Sequence, residues 1–232
     1  MASSSPLAGR RVLLGVTGGI AAYKACSLTR LLTAAGSDVR VVMTRSATRF
    51  VGPDTFAALS GHPVHIDLWE EPGVVLHVEL AHWANLAVVA PATANLLAKL
   101  ATGLADDLLT CTLLEAACPL VVAPAMHTGM WDHPATQDNV ATLAARGVRF
   151  VGPATGALAA GDEGPGRLAD PEEILEELGS VISRGRDLAG RRVVVTAGPR
   201  TSRSIRSGSS GTDRAARWGS RWRGRPSGEV RT

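Results

Sequence analysis

RVLLGVTGGIAAYK (residues 11–24) decides the fold. Its first half is a β-rich apolar run, and Gly18-Gly19 makes a tight turn. The rest, continuing through ACSLTRLLTAAG, reads as a helix closed by Gly36. A strand that turns through glycines straight into a helix is the opening unit of a parallel sheet. The same alternation continues downstream. Strands are read at 38–44, 85–93, 119–126 and 148–154. Helices are read at 55–61, 94–116 (as one piece), 134–147 and from Asp170. The strands are continuous apolar runs with short links, which implies a sheet covered on both faces. The expected fold is α/β, a Rossmann-like, flavodoxin-type parallel sheet with helices on both faces. Ligands in such folds bind at the carboxyl ends of the strands.

Composition narrows the function classes. Apolar residues make up 45% and aromatics 4%, so the core is aliphatic. No apolar run approaches the ~18–20 residues of a membrane span, and MASSSPLAGRR lacks the apolar centre of a signal peptide. A cytoplasmic protein is expected. The net charge of +3 belongs to one end: nine arginines from Arg200 to Arg231 face only Asp213 and Glu229, which leaves about −4 on residues 1–198. The body therefore does not read as a nucleic-acid binder. Cys26, Cys111 and Cys118 lack metal-ligand spacing and read as packed thiols, so no metal is expected.

The division expected is 1–180 for the main domain, 181–198 for a linker with a remnant first strand, and 199–232 for a disordered basic tail. AGRRVVVTAGP (189–199) echoes AGRRVLLGVTGG (8–19) and reads as the first strand of a second α/β domain. The Arg-, Ser- and Gly-rich stretch after it does not continue that domain.

The turn GVTGGIAAYK (15–24) offers backbone N–H groups at a helix start for a phosphate. It is not a Walker loop. The second strand ends in Thr44-Arg45-Ser46 and not in the acid that grips an NAD ribose. These features fit a mononucleotide phosphate better than a dinucleotide.

GVTGGIAAYK, MTRSATRFV, HVELAHWAN, APATANLLAKLATGLADDLL and PAMHTGMWDHPATQ, in this order, resemble the flavin-containing cysteine decarboxylases. This family includes phosphopantothenoylcysteine decarboxylase and the peptidyl-cysteine decarboxylases of lantibiotic pathways. The resemblance covers residues 10 to about 180. AGRRVVVTAGP resembles the start of a phosphopantothenoylcysteine synthetase domain.

The resemblance implies FMN as cofactor, lined by Gly18, Gly19, Thr44, Thr93, Ala94, Asn95 and Ala125. It implies His77 as the acid–base residue and His127 at the substrate carboxylate, where the family has Asn. A histidine N–H can still donate to a carboxylate. Met126, Met130 and Trp131 belong to the same substrate segment. His62, His65, His82 and His133 read as structural or surface residues. The resemblance also implies a homotrimer, with some members assembling to dodecamers. No nucleic acid or membrane partner is expected.

GALAAGDEGPGRL (156–168) resembles the family's substrate clamp, with Ala160, Gly161 and Arg167 at the substrate and Ala160 where the family has Cys. In phosphopantothenoylcysteine decarboxylase that cysteine supplies a proton during re-reduction, and alanine has none. The first expectation is therefore FMN-dependent oxidative decarboxylation of a precursor peptide's C-terminal cysteine to an enethiol. The alternatives are phosphopantothenoylcysteine decarboxylase of coenzyme A biosynthesis and a non-catalytic flavin-binding regulatory subunit. The substrate is thus a cysteine-terminated peptide or phosphopantothenoylcysteine.

Overall fold

The strand opening the chain, β1 (Arg11–Val16), leads into α1 (Ala22–Ala34), and β2 (Asp38–Met43) follows. A computed structural model of the chain describes residues 5–70, 73–157 and 163–184. Next come α2 (Pro53–Ser60), β3 (Val64–His65), α3 (Leu76–Trp83), β4 (Leu86–Ala92), α4 (Ala94–Thr102) and α5 (Leu108–Glu115). Then follow β5 (Leu120–Pro124), α6 (Thr128–Trp131), α7 (Pro134–Ala145), β6 (Arg149–Phe150), the hairpin β7 (Ala154–Ala157) and β8 (Glu163–Arg167), and α8 (Pro171–Arg184). All of them fall within one unit, Met1–Arg192.

The first six strands form one parallel sheet in the order β3-β2-β1-β4-β5-β6. The chain starts in the middle, runs to one edge, then crosses back to β4. Strand direction of travel therefore reverses between β1 and β4, and a crevice opens at their carboxyl ends.

Alternation along the strands divides the core in two. Val12, Leu14 and Val16 of β1, with Val39, Val41 and Val88, pack against Leu28 and Leu32 of α1, Phe56 of α2 and Ile174 and Leu178 of α8. Leu13, Val42, Ala87, Val89 and Val122 face the other way, against Leu80 of α3, Leu97 of α4, Leu109 of α5 and Leu143 of α7. All seven residues of β4 are buried, as the central strand of a doubly covered sheet must be.

Three readings change. The expected single helix over 94–116 is two. Gly103 adopts φ 76°, a left-handed cap that ends α4, and Asp107 restarts the chain as the N-cap of α5 in a capping box with Thr110. The expected strand 148–154 is only β6, because Gly152 at φ 77° and Pro153 turn the chain away, and Ala154 already belongs to the hairpin. The expected linker from 181 begins later: α8 runs to Arg184, since Val181 and Ile182 continue the apolar stripe of Ile174 and Leu178. Residues 185–198 and the basic tail 199–232 lie outside the described residues.

Candidate active site

A cleft of about 690 Å³ lies at the carboxyl ends of β1, β2, β3 and β4. Thr17 and Gly18 follow β1, Thr44, Arg45 and Ser46 follow β2, Ile66 to Trp69 follow β3, and Thr93 to Leu96 follow β4. Thr17 ties two of these segments together. Its buried hydroxyl donates to the Pro91 carbonyl (2.7 Å) and accepts from the Thr93 N–H (3.2 Å).

Gly18 is required by close approach. A Cβ there would lie 2.4 Å from Ser46 Cβ and 2.8 Å from the Ser46 carbonyl carbon. Among the described residues, none accepts from the N–H groups of Gly18, Gly19 or Ile20. Three backbone donors at the start of α1, with the hydroxyls of Thr44 and Ser46 beside Gly18, fit a phosphate monoester. Asn95, in the first turn of α4, and Ala94 line the same cleft. Thr93 caps α4, its side chain accepting from the Leu96 N–H (3.4 Å). Gly19 and Ala125 border the cleft segments but are not among its lining residues.

The far wall is ionic. Lys99 Nζ donates to Asp106 (2.6 Å) and Asp107 (3.1 Å). The hydrogen bond to Asp106 chiefly pushes the ammonium pKa up, against desolvation. For Asp107, burial alone would raise the pKa; the hydrogen bonds from the Thr110 N–H and hydroxyl and from Lys99 outweigh it and hold the carboxyl below its ordinary range. Arg45 pairs with Asp67 at the cleft mouth.

The segment expected at the substrate, Met126 to Trp131, runs from the end of β5 into α6. His127 caps α6, its Nδ1 accepting from the Gly129 N–H at 3.3 Å. A neutral ring bonded this way carries its proton on Nε2. Asn is also a favoured cap, so the exchange of Asn for His at 127 keeps the local backbone intact. Met130 lines the cleft, whereas Met126, His127 and Trp131 do not.

The β7–β8 hairpin is docked on this segment. The Met126 N–H donates to the Gly166 carbonyl (3.0 Å). A Cβ on Gly166, at φ 151°, would meet the Met126 carbonyl oxygen at 2.2 Å, and one on Gly164 would meet the Thr128 hydroxyl at 2.5 Å. Arg167 is directed to Asp170 (3.4 Å), which also holds Lys24 of α1 at 3.0 Å. The Lys24 hydrogen bond lowers the Asp170 pKa. Ala160 and Gly161 lie outside the described residues.

His77 is half-buried in the first turn of α3 and does not line the cleft of its own chain. The other histidines have structural partners: His62 with Asp38 (2.6 Å), His65 with Glu70 (3.3 Å), His82 with Glu115 (3.1 Å), and His133 as the cap of α7. The three thiols are free, and burial raises the pKa of each. Among the described residues no group of metal-ligating side chains occurs, and no helix is long and apolar enough to cross a membrane.

Sequence reasoning missed the wall at 66–69 and the Lys99–Asp106–Asp107 cluster. The first follows a two-residue edge strand too short for periodicity. The second was hidden by reading 94–116 as one helix; Gly103 followed by two aspartates before an apolar run was the available signal.

The family model described as Flavoprotein matches residues 1–183. The coenzyme A biosynthesis bifunctional protein CoaBC of Mycobacterium tuberculosis is 56% identical over 193 residues, covering 82% of this chain and 46% of that protein. CoaBC of Bacillus subtilis is 52% identical over 194 residues, covering 82% and 48%. The chain thus spans about half the length of the curated relatives it matches. Among solved structures, a PPC decarboxylase mutant complexed with pantothenoylaminoethenethiol matches with TM-score 0.65 and 36% identity, over 73% of this chain and 96% of that one. The FMN-dependent cysteine decarboxylase SpaF matches with TM-score 0.67 and 38% identity, over 76% and 99%.

Proposed function

The chain belongs to the flavoprotein family that contains the FMN-dependent cysteine decarboxylases, and on that premise we propose that it decarboxylates phosphopantothenoylcysteine. The cofactor is FMN. The observation that supports the substrate assignment is the 52–56% identity to bifunctional coenzyme A biosynthesis proteins over about 193 residues; the solved PPC decarboxylase and SpaF, at 36% and 38%, do not separate the two substrates. This reverses the order of preference that Ala160 alone suggests.

Gly18, Gly19, Thr44 and Ser46 would hold the phosphate, and Thr93, Ala94, Asn95 and Ala125 the ring system. Bound FMN would supply two-electron oxidation at the thiol-bearing carbon, which lets the neighbouring carboxylate leave as CO₂, and would return the two electrons afterwards, so that the net reaction is redox-neutral. The protein's share is binding, orientation and proton handling. His77 takes the thiol proton or holds the thiolate; a thiol of pKa ~8.5 is mostly protonated at neutral pH and needs such a base. His127 donates an N–H to the substrate carboxylate, aimed by its own cap bond to Gly129. The described strands of the hairpin, joined to that segment by the Met126–Gly166 hydrogen bond, would cover it and exclude water.

One observation favours a second reading. Ala160 cannot protonate carbon, so oxidation without re-reduction, on a peptide's C-terminal cysteine, with dioxygen reoxidising the reduced flavin, is the other outcome. Mass spectrometry separates the two. Loss of about 44 mass units from phosphopantothenoylcysteine supports the proposal; loss of about 46 from a cysteine-terminated peptide, with phosphopantothenoylcysteine untouched, replaces it. If the first holds, the proton comes from a group other than residue 160. A homotrimer belongs to the same proposal, and light scattering on the purified protein tests it.

A further inference from the structure

The segment after the edge strand β3 is held by its own carboxylates. One oxygen of Glu70 accepts from the backbone N–H groups of Ile66 (2.7 Å) and Asp67 (2.9 Å), and the other faces Nδ1 of the buried His65 at 3.3 Å. Asp67 divides its oxygens in the same way. Oδ1 accepts from the Trp69 N–H at 3.3 Å, and Oδ2 pairs with Arg45. A turn of five residues is thereby fixed at five backbone and side-chain points.

What this turn presents is Trp69. The indole is 85% exposed, the largest exposure of any large apolar side chain among the described residues, yet it lines the cleft. A floppy surface loop carrying a stray tryptophan would call for no explanation. A stapled one that holds an indole in the open at a cavity mouth does, because its apolar faces stay in water until something covers them.

The neighbours indicate what covers them. Trp69 shares the cleft with Thr93, Ala94 and Asn95, the residues proposed for the ring system, as well as with Gly18, Thr44 and Ser46, and its turn is strapped through Asp67 to Arg45, which lies between Thr44 and Ser46. Of the substrate segment, Met126, His127 and Trp131 do not line this cleft. We propose that Trp69 is a cofactor-covering residue, whose indole stacks on the flavin ring system and closes the mouth of the cleft over it. The inference rests on the cleft holding FMN. An electron-rich indole against an electron-poor heteroaromatic ring is a favourable pairing, and stacking of a planar base on an aromatic side chain is worth roughly 5- to 150-fold in affinity.

The test uses the full-length protein stripped of flavin and titrated with FMN, following flavin emission, with Trp69→Phe and Trp69→Ala alongside. Since the side chain is exposed, both variants should melt with the wild type in the flavin-free state. The expected result is that Trp69→Ala weakens FMN binding at least about 5-fold and leaves bound flavin brighter, while Trp69→Phe recovers most of the affinity. Wild-type FMN affinity in Trp69→Ala overturns the inference alone. So does a variant whose only defect is a raised KM for the cysteine substrate, since that would put the indole on substrate. Failure of the wild type to bind FMN would overturn both the inference and the cofactor reading beneath it.

Discussion

Gly18→Ala is the sharpest perturbation the geometry offers. The added methyl carbon would sit 2.4 Å from Ser46 Cβ, 2.8 Å from the Ser46 carbonyl carbon and 3.0 Å from its oxygen. Carbon atoms in contact prefer about 3.5–4.0 Å, so the loops after β1 and β2 must separate by roughly 1 Å. Two of the three clashing atoms are backbone, and no rotamer change relieves them. Overpacking of this kind costs about 1–3 kcal/mol, and for a chain of this size ~2–4 °C of melting temperature goes with each kcal/mol, so Tm should fall by roughly 2–12 °C. The larger effect falls on the ligand. A ~1 Å displacement takes hydrogen bonds of ~2.9 Å beyond bonding distance. Two lost bonds to a charged phosphate, at ~1.5–3 kcal/mol each, weaken FMN by at least about 100-fold. The assay is FMN titration of the stripped protein together with thermal melting. Two companion variants test the reasoning. Gly19→Ala meets only Thr93 Cγ2, at 3.9 Å, and should melt like the wild type. Ser46→Gly in the Gly18→Ala background removes the 2.4 Å clash but not the backbone ones, so rescue should be partial. If Gly18→Ala binds FMN with wild-type affinity and melts with Gly19→Ala, the close approach of the two loops does not shape the site.

His77→Asn should keep its flavin and lose decarboxylation by about 10²–10⁴-fold; CO₂ release within a few fold of wild type would remove His77 from the chemistry. His127→Asn restores a favoured cap and should retain flavin, fold and most of the activity; complete loss of turnover would mean the imidazole does something an amide cannot. The Asp107 carboxyl titrates below its ordinary range in the folded chain. Its contribution to stability is therefore present above the unfolded pKa of ~3.9 and lost as pH falls through the lower folded value, so Asp107→Asn should flatten the acid side of a Tm-versus-pH curve below about pH 4. Lys99, shifted upward, acts at the other end: its contribution is complete below ~10.4 and fades as pH rises through the folded value. A chain ending at Gly198 should keep its flavin content and melting temperature, because the family match ends at residue 183; loss of either would give the remaining residues a structural role.

Much of the architecture was legible in the chain because its signals are local. A strand that turns through Gly18-Gly19 into a helix, repeated apolar runs and terminal glycines specify parallel α/β order before any contact is known. Candidate residues were legible for the same reason: Thr44, Thr93 and Asn95 stand in contiguous motifs and line the cleft, whereas His77 and His127 stand in such motifs and do not line it. Distance was not legible. Only the folded chain brings Ser46 against Gly18, since 28 residues separate them and the contact exists because β1 and β2 are paired in register. Nor could periodicity break 94–116 at Gly103, because both halves are apolar enough to continue a helix; the split is settled where Asp107 finds Thr110 and Lys99. The wall at 66–69 is the extreme case. Its short edge strand has no pattern of its own, and it becomes part of a site only because Glu70 and Arg45 hold it there. A motif in one stretch of chain can announce chemistry, but a cavity is a relation among strand ends, and it comes into being when the sheet assembles.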